Sequence, residues 1–220
     1  MPSKGKVGEE HWGAETSYRA RRLQDFVMLV DQVLTTKPEC RVLDVGGNAS
    51  YWRDLEPVWR GRNLHVTLVN QVQEPDPGPP FEAVQGDARD LGRWDKDAFD
   101  VVHSNSVLEH VGRWRDIKAT VAEIRRLAPR YFVQTPYYWF PLEPHFRVPF
   151  FNWLPEPWRL SIVMARGCGA FPRAQTVDDA VRFIEDSNLL DMKRFRVLFP
   201  DAEIRRERVW GLTKSLIAIR

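Results

Sequence analysis

The stretch RVLDVGGNASYW, Arg41 to Trp52, decides the fold. Val42, Leu43 and Val45 make a short apolar strand with one acid, Asp44, near its end; Gly46 and Gly47 follow, and Tyr51 and Trp52 begin a helix. A short apolar run bounded by glycine reads as a buried strand, and glycine lets a ligand approach the backbone closely. An acid and two glycines therefore stand where a strand stops and a helix starts.

On the N-terminal side, Leu23, Phe26, Val27, Val30 and Leu34 fall at helical spacing within TSYRARRLQDFVMLVDQVL, which predicts an amphipathic helix; residues 1–15 read as mobile. On the C-terminal side, LHVTLVN is a second strand, FEAVQGDARDL holds a third ending in the turn GDA, and AFDVVHSNS is a fourth. WRDIKATVAEIRRLA is a helix stopped by Pro129, and RYFVQTP a fifth strand ended by Pro136. Strands and helices in alternation predict an α/β fold, with a parallel sheet and helices on both faces. Ligands of such sheets sit outside the carboxyl ends of the strands, where strand order reverses.

After Pro136 the alternation stops. YYWFPLEPHFRVPFFNWLPEPW is dense in proline and aromatics, a composition that opposes regular helix. TVDDAVRFIEDSNLLDMKRFRVLF is helical again, in two pieces, and AEIRRERVWG and TKSLIAIR read as two strands joined by a tight turn at Gly211–Leu212.

The 220 residues are 43% hydrophobic, enough for one core and a subdomain. Lys plus Arg is 32 against 30 for Asp plus Glu, a net charge of +2 that argues against dedicated nucleic-acid binding. Cys40 and Cys168 form neither a disulfide framework nor a zinc pattern, and fit a reducing cytosol. The start lacks an apolar targeting core, and no run is long enough to span a bilayer. The expectation is a cytoplasmic protein.

Two nucleotide-binding chemistries compete at the glycine turn. A dinucleotide fold calls for G-x-G-x-x-G and an acid at the end of the second strand; here the turn is GGNAS and the strand ends in Asn70. Asp44 would repel a pyrophosphate but suits a cationic ligand. S-adenosylmethionine carries an ammonium, a sulfonium and no phosphate. In that reading Asp44, Gly46, Gly47 and Asn48 form the turn of the cofactor site. Asn70 and Gln71 lie where the ribose hydroxyls would be held, and Asp87 accepts from the adenine amino group while the Ala88 N–H donates to the ring. Ser104 and Asn105 face the methionine moiety, and Tyr18, Arg19 and Arg22 on the N-terminal helix cap its carboxylate.

The ordered set VLDVGGNASYW, VTLVN, GDA, FDVVHSNSVLEHV and YFVQTP resembles the class I S-adenosylmethionine-dependent methyltransferases, closest to a broad bacterial group with SNSV-x-EHV at the fourth strand. PLEPHFRVPFFNWLP and ERVWGLTKSLIA resemble later segments of that group, so the likeness runs from Arg41 to the C-terminus. It implies a doubly wound, mostly parallel, seven-stranded Rossmann-like sheet with an antiparallel C-terminal strand. Four parts follow: an N-terminal segment and helix (1–38), the cofactor-binding core (39–136), a Pro/aromatic-rich insertion (137–172), and a helix and strand hairpin completing the core (173–220). Where the group has G-x-G-x-G, this chain has Asn48 and Ser50 at the second and third glycine positions.

Methyl transfer from a sulfonium is an in-line displacement, so the protein positions the acceptor and supplies a base where the acceptor is a hydroxyl. His145 is the first choice of base, with His110 and Glu143 behind it. The expected reaction is O-methylation of a sugar, glycolipid or other small acceptor. Residues 137–158 read as the acceptor pocket, as a packed lid, or as a peripheral membrane contact. No metal is expected, because the fourth and fifth strands end in Ser104–Asn105 and Gln134–Thr135 rather than in acids. The alternatives are a methyltransferase fold that binds without turnover, motivated by Asn48, Ser50 and Asn70, and a nicotinamide-dependent dehydrogenase, which would lack the terminal strand hairpin.

Overall fold

The computed structural model describes residues 7–220, with side chains described from Tyr18 onward. Seven strands make one sheet: β1 Cys40–Val45, β2 Leu64–Asn70, β3 Phe81–Gln85, β4 Val101–Asn105, β5 Arg130–Pro136, β6 Glu203–Val209 and β7 Leu212–Ile219. Their order is β3-β2-β1-β4-β5-β7-β6. The first five strands are parallel, and β7 is antiparallel to both β5 and β6. This is the Rossmann-like architecture expected from the sequence. The order reverses between β1 and β4, so their carboxyl ends flank the switch point.

Seven α-helices accompany the sheet: α1 Val7–Leu34, α2 Ala49–Asp54, α3 Glu56–Trp59, α4 Trp114–Leu127, α5 Glu156–Ala165, α6 Val177–Glu185 and α7 Met192–Leu198. Residues 1–6 lie outside the described part. The expectation of a mobile start falls on those residues in part, and residues 7–15 belong to α1.

Strand residues alternate between the two faces. On one face Val42, Val101, Phe132 and Ile217 pack under α1 through Leu23, Phe26, Val27 and Val30. On the other, Leu43, Val102, Val133 and Leu216 pack under α4 and α7 through Ile117, Val121, Ile124 and Phe195. Phe26 is fully buried, which stabilises the fold by about 1.5–3 kcal/mol. This alternation fixes which strand-end residues can meet under α1. Asp44, His103, Gln134 and Ser215 belong to its side, whereas Ser104 and Thr135 belong to the α4 side.

Among the described residues, no helix is long and apolar enough to cross a membrane. The β6–β7 turn is Trp210–Gly211, with φ of 51° and 81°, and Leu212 already belongs to β7. Two central residues in the left-handed region are what a tight hairpin needs, so the expected Gly211–Leu212 turn is displaced by one residue.

The insertion has a core of its own. Phe146, Phe151, Val163, Cys168, Ala174, Ala180 and Ile184 are buried together. Tyr137 pairs with Leu190 as an isolated bridge, so the insertion leaves and rejoins the sheet side by side. It therefore includes α6, and the boundary expected at residue 172 cuts through its core. Helix α5 was not expected. Pro155 is its N-cap and Pro157 lies in its first turn, where a missing N–H costs nothing.

Candidate active site

A cavity of about 500 Å³ opens at the carboxyl ends of β1, β4 and β5, on the α1 side of the sheet. That volume lies in the range of small-ligand sites, ~300–1,000 Å³. Asp44 and His103 line it, and each is only 1% exposed. Asp44 Oδ1 lies 2.7 Å from His103 Nδ1, and Oδ2 accepts from Trp52 Nε1 at 2.7 Å. A carboxylate can only accept, so Nδ1 is the donor and carries the proton. The His103 ring stacks on Phe132 at 5.6 Å and meets the edges of Phe26 and Trp52. His103 Nε2 and Tyr51 Oη are buried without a hydrogen-bond partner, and both residues line the cavity.

The two glycines are required by this packing. A β-carbon on Gly47 would lie 1.7 Å from Asp44 Oδ2. Gly46 has φ of 72°, and a β-carbon there would lie 2.6 Å from a Val107 methyl. The departures from the glycine-rich pattern hold the same turn. Asn48 caps α2, its Oδ1 accepting from Tyr51 N at 2.9 Å and from Ser50 Oγ at 2.6 Å. Asn48 is extended, with φ of −136°, so no left-handed residue is needed there. Asn70 Nδ2 donates to the Gly47 carbonyl at 2.7 Å and ties the turn to the end of β2.

Arg22 on α1 reaches the opposite side of the cavity. It makes two 2.8 Å hydrogen bonds to Glu207 of β6 and one of 3.0 Å to Asn105 Oδ1. Both charged side chains of this pair are 9% exposed. Arg22 thus serves first to hold Asn105 and β6, and the cationic groups at the rim are Arg19 and Lys214. Tyr18 does not line the cavity; Lys214 Nζ sits 4.7 Å from its ring centre.

Of the residues expected from sequence, Asp44, Gly46, Gly47, Asn48, Asn105 and Arg22 line the cavity together. Ser104 does not. It is fully buried on the α4 face, since successive strand residues point to opposite sides, and His103 takes the place expected for it. Asn70, Gln71, Asp87 and Ala88 lie at and beyond the ends of β2 and β3, outside the cavity wall. Gln71 is exposed, and Ala88 packs against the α4-side core. Asp87 is paired with Arg89 at 2.6 Å, and that hydrogen bond holds its carboxyl below the usual carboxylate range.

The three residues expected as bases are gathered, but behind the cavity wall. Leu142 and Pro144 line the cavity, while Glu143 and His145 do not. His145 Nδ1 lies 2.7 Å from Glu143 Oε1, and Ser187 Oγ lies 3.0 Å from the same nitrogen. Glu143 Oε2 also accepts from the Phe146 backbone N–H. The His110 ring meets His145 edge-on at 4.7 Å, and His110 Nδ1 lies 2.7 Å from the Asp186 carbonyl. Glu109, unforeseen by sequence reasoning, completes the group; it is fully buried and accepts from Thr135 Oγ1 at 2.9 Å. Burial raises the Glu109 carboxyl above its ordinary range against the pull of both imidazoles. Burial opposes the charged form of His145, yet the hydrogen bond and charge of Glu143, with Glu109 and Asp186, raise its pKa overall.

A glycine turn, a buried acid and a cavity at the switch point of a doubly wound sheet are where such α/β folds place their ligands. Residues 43–130 match the family model described as a methyltransferase domain. Within the seven-stranded sheet, the matched segment is thus similar to a class I methyltransferase domain, and S-adenosylmethionine is the cofactor that this match implies. No curated protein is significantly similar to the chain. Among solved structures it is similar to an O-methyltransferase family protein from Burkholderia thailandensis, at 15% identity over 97% of this chain and 60% of that one, with TM-score 0.49. It is similar to a SAM-dependent methyltransferase from Methanosarcina mazei, at 13% identity over 83% and 92%, with TM-score 0.48. A SAM-dependent methyltransferase from Aquifex aeolicus is similar at 12% identity over 86% and 87%, with TM-score 0.46. The chain spans 60% of the length of the Burkholderia protein and 39% of that of a further match from Galdieria sulphuraria.

Proposed function

We propose that the protein methylates a hydroxyl of a small acceptor, a sugar or glycolipid among the candidates, by in-line displacement. The observation that carries this reading is the mixed lining of the cavity: polar Asp44, His103 and Asn105 together with Tyr137, Phe140, Leu142 and Pro144. S-adenosylmethionine, when bound, supplies an electrophilic methyl group on a sulfonium. Asp44 provides negative charge in the cavity, and Arg19 and Lys214 provide positive charge at the rim for a carboxylate. The aromatic lining offers ring faces to an acceptor. Where the hydroxyl must lose its proton, the imidazole on the cavity wall is His103, with Nδ1 held by Asp44 and Nε2 without a partner. The base role therefore passes to His103 from His145, whose ring lies outside the wall.

Trp139, Phe150 and Trp153 form an exposed aromatic rim on the insertion, which supports a glycolipid or other partly apolar acceptor. The reading without turnover loses its motive, because Asn48, Ser50 and Asn70 all support the turn. Calorimetry with S-adenosylmethionine, followed by mass analysis of a panel of hydroxylated acceptors, tests the proposal. Micromolar binding and the gain of one methyl group by a hydroxylated acceptor are expected. The absence of binding heat, or methylation confined to amines, would overturn it.

A further inference from the structure

We propose that Glu109, His110 and His145 form a binding site for one divalent first-row transition-metal ion, with zinc as the first candidate. One ligand atom from each residue lies within 4.8 Å of those of the other two. Donors bonded to one zinc at ~2.0–2.2 Å stand somewhat closer than this. His110, about one-third exposed, has room to close the gap.

Two independent observations point to a cation. First, Glu109 is fully buried, and while Oε2 accepts from Thr135 Oγ1, Oε1 has no hydrogen-bond partner. A buried carboxylate oxygen without a partner is costly, and an ion bound there removes the cost. Second, the two imidazoles are oriented as metal ligands usually are. His110 Nδ1 donates to the Asp186 carbonyl and His145 Nδ1 to Glu143, each at 2.7 Å. Each ring is left with its lone pair on Nε2, and such outer partners fix the tautomer of a ligating histidine.

The donor set selects the class of ion. Two nitrogens and one carboxylate oxygen suit zinc and its first-row neighbours, whereas magnesium and calcium favour oxygen throughout. The supports come from separate parts of the chain. Glu109 and His110 sit on the 3-10 turn Leu108–His110 that follows β4, and His145 sits in the insertion. Asn188 N donates to the Glu109 carbonyl at 2.8 Å, so the end of the insertion also braces the turn. A bound ion would join the insertion to the sheet directly behind Pro144, which lines the cavity.

The test uses untagged full-length protein stripped with a chelator and then titrated with zinc or manganese alone. Calorimetry and elemental analysis are expected to give one equivalent of zinc per chain and a rise in melting temperature. Glu109→Gln and His110→Gln should each weaken zinc binding at least tenfold and abolish the thermal shift. His110 is partly exposed, so His110→Gln keeps the test valid should Glu109→Gln fail to fold. Failure to bind zinc or manganese stoichiometrically would overturn the site. So would variants that bind as tightly as wild type, or a Glu109 carboxyl shown by isotope-edited infrared spectroscopy to stay protonated when zinc is present. None of these readouts depends on methyl transfer or on the acceptor.

Discussion

The carboxylate of Asp44 and the imidazole of His103 meet at 2.7 Å beneath the cavity, each only 1% exposed. They come from neighbouring strands, where Asp44 and His103 are register partners. The acid at the end of β1 is therefore a structural anchor as well as part of the cavity wall. Asp44→Ala would leave His103 Nδ1 and Trp52 Nε1 buried without an acceptor. We expect a loss of about 3–5 kcal/mol in stability, read from urea unfolding. Trp52→Phe removes one donor while Asp44 keeps the other, and should cost less. Equal losses for the two variants would show that the His103 contact carries nothing.

Gly47→Ala tests the turn. Its new methyl would overlap Asp44 Oδ2, and the acid would have to leave His103 and Trp52. Cofactor affinity is expected to fall at least tenfold by calorimetry. Gly167→Ala, where a β-carbon would meet its nearest atoms at an ordinary 3.5 Å, should bind as wild type does. Wild-type affinity in Gly47→Ala would remove the turn from the cofactor site.

Glu207 pairs with the buried Arg22 across 185 residues of sequence. Glu207→Ala should cost about 3–5 kcal/mol, because it strands a guanidinium. A double-mutant cycle with Arg22→Met is expected to give a coupling of about 1–3 kcal/mol. Additive effects would show that the pair does not act as a unit.

The Glu123 carboxylate joins α4 to the segment after β3, accepting from Arg126 at 2.7 Å and from the Leu91 N–H at 3.0 Å. The Arg126 hydrogen bond lowers its pKa below 4.5. A depressed folded-state pKa contributes stability that is complete above the unfolded value and is lost as pH falls through the folded one. Glu123→Gln should therefore cost about 1 kcal/mol at pH 7, with the difference from wild type shrinking as pH falls through the lowered folded-state value. A difference independent of pH would assign the effect to packing.

The sheet was legible because each strand is short, apolar and bounded by turn residues, and because β4 and β5 bracket a strongly amphipathic α4. Strand parity was legible too: His103 shares a face with Asn105, and applying the two-residue period would have placed it, rather than Ser104, on the cavity wall. The Arg22–Glu207 pair was not legible, since nothing local links an N-terminal helix to the next-to-last strand. The grouping of Glu109, His110 and His145 was not legible, because no local signal links the turn Leu108–His110 to the insertion. The trio combines a turn after one strand with a loop after another. In the insertion, a proline density read as loop concealed α5, whose prolines occupy the capping and first-turn positions.

Strand β7 is made last of the seven, yet it lies between β5 and β6, and Lys214 and Ser215 on it line the cavity. During synthesis, β5 has no neighbour on that side until Leu212–Ile219 leaves the ribosomal tunnel. The cavity is then finished by one inserted strand, after the other six have been made. A nascent chain stalled before Lys214 would carry the glycine turn and the buried acid, yet have no complete chamber around them.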